Sequence, residues 1–416
     1  NGLYSTLKSA RIIINQCSEG GIDHGNYVTK GMAEVLAAYN CALIADMFGD
    51  APCSQAALID ENGSPVYLTP KMDKQEEIYT QAMQYLDDAI ADLQKEDLID
   101  PEAQDLLYQG DAEKWLKLAY GLKARYTMHL LKRSANKDAD MEKVLEYVNN
   151  SFESAEEQAA FDVYDANNIN PLYGFFVARA GLGASESMRS KLAEYNDPRL
   201  SRAFITKQGT SGKEQAPGTA DNAVYAPNGT PEQGTSKYGT SLFMYSISAP
   251  TLLLSYHELK FLEAEALCRL ERDAKSALKD AVVAGLLNAE NSFTISRKEL
   301  GKTLINAASS ITEAEAESYF DNTIEAKYTA EPLKTTMTQK YFALWGASGE
   351  ATESYNDVRR MKGLGENFIE LKNPNSFPLR CPYGNSDTTT NAEVKAAYGN
   401  GQYVYSENVW WAGGSR

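Results

Sequence analysis

Histidine is scarce in this chain: His24, His129 and His257 are the only three in 416 residues. His257 sits in HELKF, which lacks the second histidine of a HExxH zinc helix. His129 falls on an apolar helical stripe, where a satisfied core histidine is expected rather than a catalytic one. The five cysteines, Cys17, Cys41, Cys53, Cys268 and Cys381, are odd in number and show no CxxC spacing, so neither a disulfide framework nor a zinc site follows. Cys41 and Cys53 are close enough in sequence to meet, yet each reads as a buried free thiol. No stretch reaches the ~18–20 apolar residues of a membrane span. Basic residues are in deficit, 40 Lys and Arg against 57 Asp and Glu, for a net charge of -17. That balance excludes a nucleic-acid partner and an anionic lipid surface. Ser185 in GLGASES is not a nucleophile elbow, and Gly181 and Gly183 lack the rest of a phosphate fingerprint. No catalytic residue, metal ligand or cofactor is assigned. Paired carboxylates remain the one enzymatic option, because glycoside hydrolysis needs two acids held about 5–10 Å apart. Many of the acids fall instead at helix starts or on polar faces.

What the chain does have is helical periodicity. Asp111 opens a helix in which Trp115, Leu118, Ala119, Leu122, Tyr126, His129 and Leu130 recur at mostly three- and four-residue steps, running to about Arg133. Capping boxes are expected at Asp73/Glu76, Ser255/Glu258, Ser296/Glu299 and Thr312/Glu315. Ala82, Leu86 and Ala89 carry the small–aliphatic–small spacing of a tetratricopeptide helix, and Ala264, Ala266, Ala274 and Ala277 suggest another helix pair. Strand signals are few; Val224–Tyr225 and Tyr403–Tyr405 are the best candidates, and no sheet beyond a small ribbon is expected. The fold class is therefore all-α; two short matches by themselves leave a helical repeat open. Trp115 and Trp345 belong to the core.

Two regions break the pattern. Residues 205–239 are rich in Gly, Thr, Ser, Pro, Gln and Asn, with turn signals at Pro217-Gly218 and Asn228-Gly229. Residues 373–416 are again irregular and rich in Tyr and Trp. Aromatic rings stack on the apolar faces of sugars while amides and carboxylates take the hydroxyls. Tyr225, Tyr238 and Tyr245, near Asn222, Asn228 and Gln233, are the first candidates for ligand contact, followed by Trp410 and Trp411.

Two late segments carry a specific resemblance. QKYFALWGASGEATESYNDVRRMKG (339–363) and FPLRCPYGNSDTTTN (377–391) resemble the C-terminal signature of the SusD/RagB family, through Glu353, Asp357, Arg359, Arg360, Pro378, Arg380, Tyr383 and Asn391. Tyr355, Gly384 and Asp387 depart from it, standing where Trp, Pro and Glu are usual. Earlier, Asp46, Gly49, Asp50, Pro52 and Ala56 match a further block, with Cys53 in place of an aromatic residue and Gln55 in place of Glu. The blocks at 73–93 and 110–130 follow in family order, and the shorter-helix branch fits best. The resemblance implies one SusD-like domain over 1–416, with a tetratricopeptide-like helical-repeat scaffold at about 1–160 and 250–362 and variable, irregular loop-rich regions at about 161–249 and 363–416. It also implies capture of a nutrient, most often an oligosaccharide, and delivery to a SusC-like TonB-dependent transporter, with no enzymatic activity. The place implied is the outer surface of the outer membrane, on a lipid-modified cysteine upstream of Asn1. Arg359 and Arg380 are expected to anchor loops through carboxylates. A tetratricopeptide-type protein-interaction scaffold without small ligand and an all-helical glycoside hydrolase are the alternatives.

Overall fold

The computed structural model describes residues 2–165, 167–179, 183–208, 213–215, 224–229, 238–301, 304–305, 307–373 and 375–416. These form two compact units, the first built from Asn1–Glu153, Asn356–Glu366 and Ser376–Arg416, the second from Ser154–Tyr355 and Asn367–Asn375.

The first unit is helical. Helices α1 (Gly2–Cys17), α2 (Tyr27–Phe48), α3 (Gln75–Asp92), α4 (Ala112–His129) and α5 (Lys137–Asn149) pack in succession. Ala82, Leu86 and Ala89, the small–aliphatic–small run, are fully buried, which lets α3 and α2 lie close. Asp111 caps α4, its carboxylate accepting from Glu113 N at 3.1 Å and Lys114 N at 3.2 Å. After His129 the helix tightens into a 3₁₀ turn that ends at Arg133. One expectation is corrected here: α2 is long and apolar enough, by length and composition, to cross a membrane. Most of that stretch is buried inside the unit, so it reads as a core helix. Gly49, at φ +74°, turns the chain out of α2; a Cβ there would meet Arg380 Nη2 at 3.2 Å.

The second unit adds short strands to helices. β1 (Ala159–Phe161) pairs with β5 (Thr251–Leu254), and β2 (Phe204–Gln208), β3 (Lys213–Gln215), β4 (Thr240–Ser241) and β6 (Leu304–Ile305) make a four-stranded sheet in the order β4-β2-β3-β6. That sheet exceeds the small ribbon expected. Its strands are two to five residues long, too short to leave a period in the sequence. Val224–Tyr225 and Tyr403–Tyr405 are not strands; Ala226 makes a lone bridge to Ser185. Helices α6 (Pro171–Arg179), α7 (Glu186–Glu194), α8 (Tyr256–Arg269), α9 (Lys275–Leu300), α10 (Glu313–Tyr319), α11 (Glu325–Ala330) and α12 (Pro332–Ala343) complete it. Ala264, Ala266, Ala274 and Ala277 are all buried along the α8–α9 pair. Gly346, at φ +80°, holds its backbone so close to Phe243 that a Cβ would stand 2.4 Å from the ring.

The capping expectations divide. Ser255 and Thr312 cap as read, accepting from Glu258 N at 3.0 Å and Glu315 N at 3.2 Å. The α3 box lies one residue later than expected, with Glu77 accepting from Lys74 N at 3.1 Å. Asp73 instead binds Cys53 N at 2.8 Å and Ser54 N at 2.6 Å. Ser296 is interior to α9, its hydroxyl donating to Leu242 O at 2.6 Å.

Candidate functional site

The family-signature residues of the first unit gather around two buried acids. Asp46 Oδ1 accepts from Trp411 Nε1 at 3.0 Å and from the Tyr79 hydroxyl, and its backbone carbonyl accepts from Arg359 Nη1 at 2.7 Å. Asp50 accepts from Gln75 N at 2.9 Å and Tyr398 OH at 2.6 Å. Arg380 donates to Tyr383 OH at 2.7 Å, and Asn391 Nδ2 to Pro70 O at 2.9 Å. Arg359 and Arg380 are thus tied into the structure, Arg359 at a main-chain carbonyl and Arg380 at a phenol. His129 is the satisfied core histidine anticipated, 2.9 Å from Tyr79 OH and stacked on Trp411. All of this is buried structure, not an open site.

That burial revises the expectation for Trp411, which is fully buried and offers no ring face to a ligand. Tyr238 is likewise buried, packed where a Cβ on Gly183 would meet it. Tyr245 is half-buried and stands edge-on to Phe176, with ring centroids 5.1 Å apart. Tyr225 is half-buried between Phe204, at 5.3 Å, and the Arg189 guanidinium, at 5.1 Å. Asn222, Gln233 and the Pro217-Gly218 turn lie outside the described residues. Trp410 is half-buried in the first unit, in a cavity of about 480 Å³ that also holds Gln84, Asp87 and Ser134. Arg133 stacks on its ring at 5.0 Å and donates to its carbonyl at 2.7 Å. Of the five aromatic candidates, Tyr225, Tyr238 and Tyr245 thus belong to the second unit and Trp410 and Trp411 to the first.

A larger space lies within the second unit, a cavity of about 820 Å³. Helix α7 supplies Glu186, Ser187, Ser190, Lys191 and Glu194; α12 supplies Lys334 and Thr338; the segment after Gly365 supplies Phe368, Ile369, Glu370 and Lys372. Asn228, singled out in the sequence, closes one wall beside Pro227, three residues from Tyr225. Its Oδ1 accepts from Ser185 Oγ at 2.8 Å, which fixes the amide. Ser185 also caps α7, so that helix and Asn228 are held by one residue. Lys191 donates to Ser187 Oγ at 2.7 Å, and burial pushes its ammonium below the usual lysine range. Glu370 pairs with Lys372, which holds the carboxyl below its ordinary value. Three acids face three lysines, so the walls carry no net charge. Phe368, Ile369 and Tyr195 give apolar surface between the hydroxyls and amide. Phe368 and Ile369 were missed in the sequence; they stand alone in a polar loop, without a period to mark them.

The fold and this cavity define a helical scaffold carrying a neutral groove of mixed polar and apolar character. The chain belongs to the SusD-like family described as "starch-binding associating with outer membrane", whose model matches residues 1–383. Among solved structures it is similar to a SusD/RagB family protein from Bacteroides thetaiotaomicron, at 67% identity over 100% of this chain and 87% of that one, TM-score 0.95. It shares its fold with a chitin-binding protein at 21% identity (99% and 86% covered, TM-score 0.72). A SusD homolog from Bacteroides fragilis stands at 20% identity (99% and 89% covered, TM-score 0.73). No curated protein matches the chain.

Proposed function

We propose that this protein captures an extracellular glycan at the outer membrane and delivers it to a SusC-like TonB-dependent transporter, without catalysing a reaction. The observation that carries this reading is the charge-balanced groove of about 820 Å³, lined by Asn228, Ser187, Ser190 and Thr338 beside Phe368. An oligosaccharide needs hydroxyl partners and an apolar ring face, and it carries no charge that would select one sign of wall. The family's description as starch-binding and the chitin-binding neighbour favour a sugar over a peptide. Glu186, Glu194 and Glu370 are exposed, whereas a glycosidase acid is kept protonated by burial. Anchoring through a lipid-modified cysteine upstream of Asn1 is part of the same proposal. Tyr225 flanks the groove through Pro227 and Asn228, and Trp410 provides a second, separate aromatic contact.

A glycan array with a parallel assay for reducing-end release tests the proposal. Binding without release is expected. Phe368→Ala and Asn228→Ala should each weaken the bound glycan about tenfold, roughly 1.4 kcal/mol, with the melting temperature nearly unchanged. Unaltered affinity in both variants would move the site to Trp410. Release of reducing ends would make the protein a hydrolase.

A further inference from the structure

Cys53 stands where the family usually places an aromatic residue, and its sulfur lies 3.2 Å from that of Cys41. Both thiols are fully buried, and both are free in this structure. The contact is not left to chance. Cys41 is carried by α2, whose neighbours on both sides are packed helices. Cys53 is clamped from both ends of its peptide, its N–H donating to Asp73 at 2.8 Å and its carbonyl accepting from Arg11 Nη1 at 2.9 Å. Tyr4 OH holds the preceding residue through Pro52 O at 2.8 Å. The remaining gap is roughly 1.2 Å beyond a disulfide bond of about 2.05 Å, within reach of side-chain rotation. Contact with the Cys41 thiol, followed by the Arg11 cation, holds Cys53 below the usual thiol range in the folded chain despite burial. Cys268 and Cys381 meet Thr336 and Met47 instead of another thiol.

We propose that Cys41 and Cys53 are a disulfide-forming pair that staples the C-terminal half of α2 to the turn that follows the helix when the chain folds in an oxidising compartment. The proposal does not depend on what the groove binds. With a small disulfide such as oxidised glutathione as oxidant, Cys53 thiolate attacks one sulfur and releases one glutathione thiolate. Cys41, losing its proton, then displaces the second glutathione from the mixed disulfide. Two thiol protons and two electrons leave the protein, one S–S bond forms, and the oxidant becomes two glutathione thiols. Because both sulfurs are buried in the folded chain, the exchange takes place during folding; once α1 has docked, its Arg11 and Tyr4 hold the Cys53 segment beside Cys41. The bond closes a short loop and so constrains the unfolded chain.

The test uses the full chain, unfolded and refolded with a glutathione redox couple, then alkylated in denaturant and weighed. Three of the five cysteines should be alkylated. One tryptic peptide, Gly31–Lys71, contains both residues, so the bond appears there as a loss of two hydrogen masses. Reductant should lower the melting temperature of the oxidised protein by roughly 3–10 °C. Cys41→Ser should remove that response, while Cys268→Ser should keep it. Five alkylated thiols after oxidation, or a bond from either residue to another cysteine, would overturn the proposal. Both readouts come from the unaltered chain, so they stand even where a variant folds poorly.

Discussion

Asp46 accepts from Trp411 and Tyr79 on one oxygen, while Asn356 Nδ2 lies 3.4 Å from the other. An amide at this position would keep one acceptor and turn an N–H₂ group toward donors. Asp46→Asn should therefore destabilise the protein by about 2–4 kcal/mol, read as a lower midpoint in urea. A change within experimental error would show that a donor had rotated away at little cost. The same region shows what single residues could and could not reveal in advance. That Arg359 and Arg380 act as anchors was legible, because a guanidinium's fork of donors is suited to charge-assisted hydrogen bonds within the protein. The Asp46 carbonyl that meets Arg359 was not, since a main-chain carbonyl leaves no trace in residue type. Trp411 was misplaced for a related reason: a tryptophan in a loop looks the same whether its indole N–H meets a sugar or a buried carboxylate.

At the level of elements, long helices were legible and short strands were not. Helix α4 declares itself by its capping aspartate and its stripe, and Trp115 on that stripe is buried, edge-on to Tyr108, with its N–H on Asp105 at 2.7 Å. Trp115→Ala should cost about 3–5 kcal/mol in chemical denaturation, the lost contacts outweighing any relaxation around the cavity. A loss below about 1 kcal/mol would place that face at the surface. The expected boxes at Asp73 and Ser296 fell elsewhere because the side chains found stronger partners through tertiary contact: Asp73 with Cys53 and Ser54, Ser296 with Leu242. Strands β2 and β4 owe their existence to pairing between Phe204–Ile205 and Thr240–Ser241, more than thirty residues apart. A two-residue strand has no period of its own.

For the whole molecule, two buried groups titrate in opposite senses, one in each unit. In the first, burial raises Glu34 to about 7, although Lys30 stands 3.1 Å away and lowers it in part. The folded state holds this proton more tightly than the unfolded chain, whose glutamate titrates near 4.3. This contribution is therefore complete below that value and is lost as pH rises toward 7. In the second unit, burial lowers His257 to about 4. Here the folded state resists the proton, so stability is complete above about 6.5 and is lost as pH falls toward 4. Melting temperature measured from pH 4 to 8 should show both slopes. Glu34→Gln should flatten the loss on raising pH, and His257→Gln the loss on lowering it. Slopes unchanged by these substitutions would assign the pH dependence to other groups.

The sequence by itself determined the helical class, the family and the core positions of Trp115 and His129. Those properties rest on local periodicity and on motifs that occupy contiguous residues. Only the tertiary structure decided which aromatic residues keep a surface, because exposure depends on what the rest of the chain places over a ring. It alone assembled the groove from α7, α12, Asn228 and Phe368, and it alone brought the sulfurs of Cys41 and Cys53 into contact. Each of these joins residues whose nearness follows from packing, which no local pattern encodes.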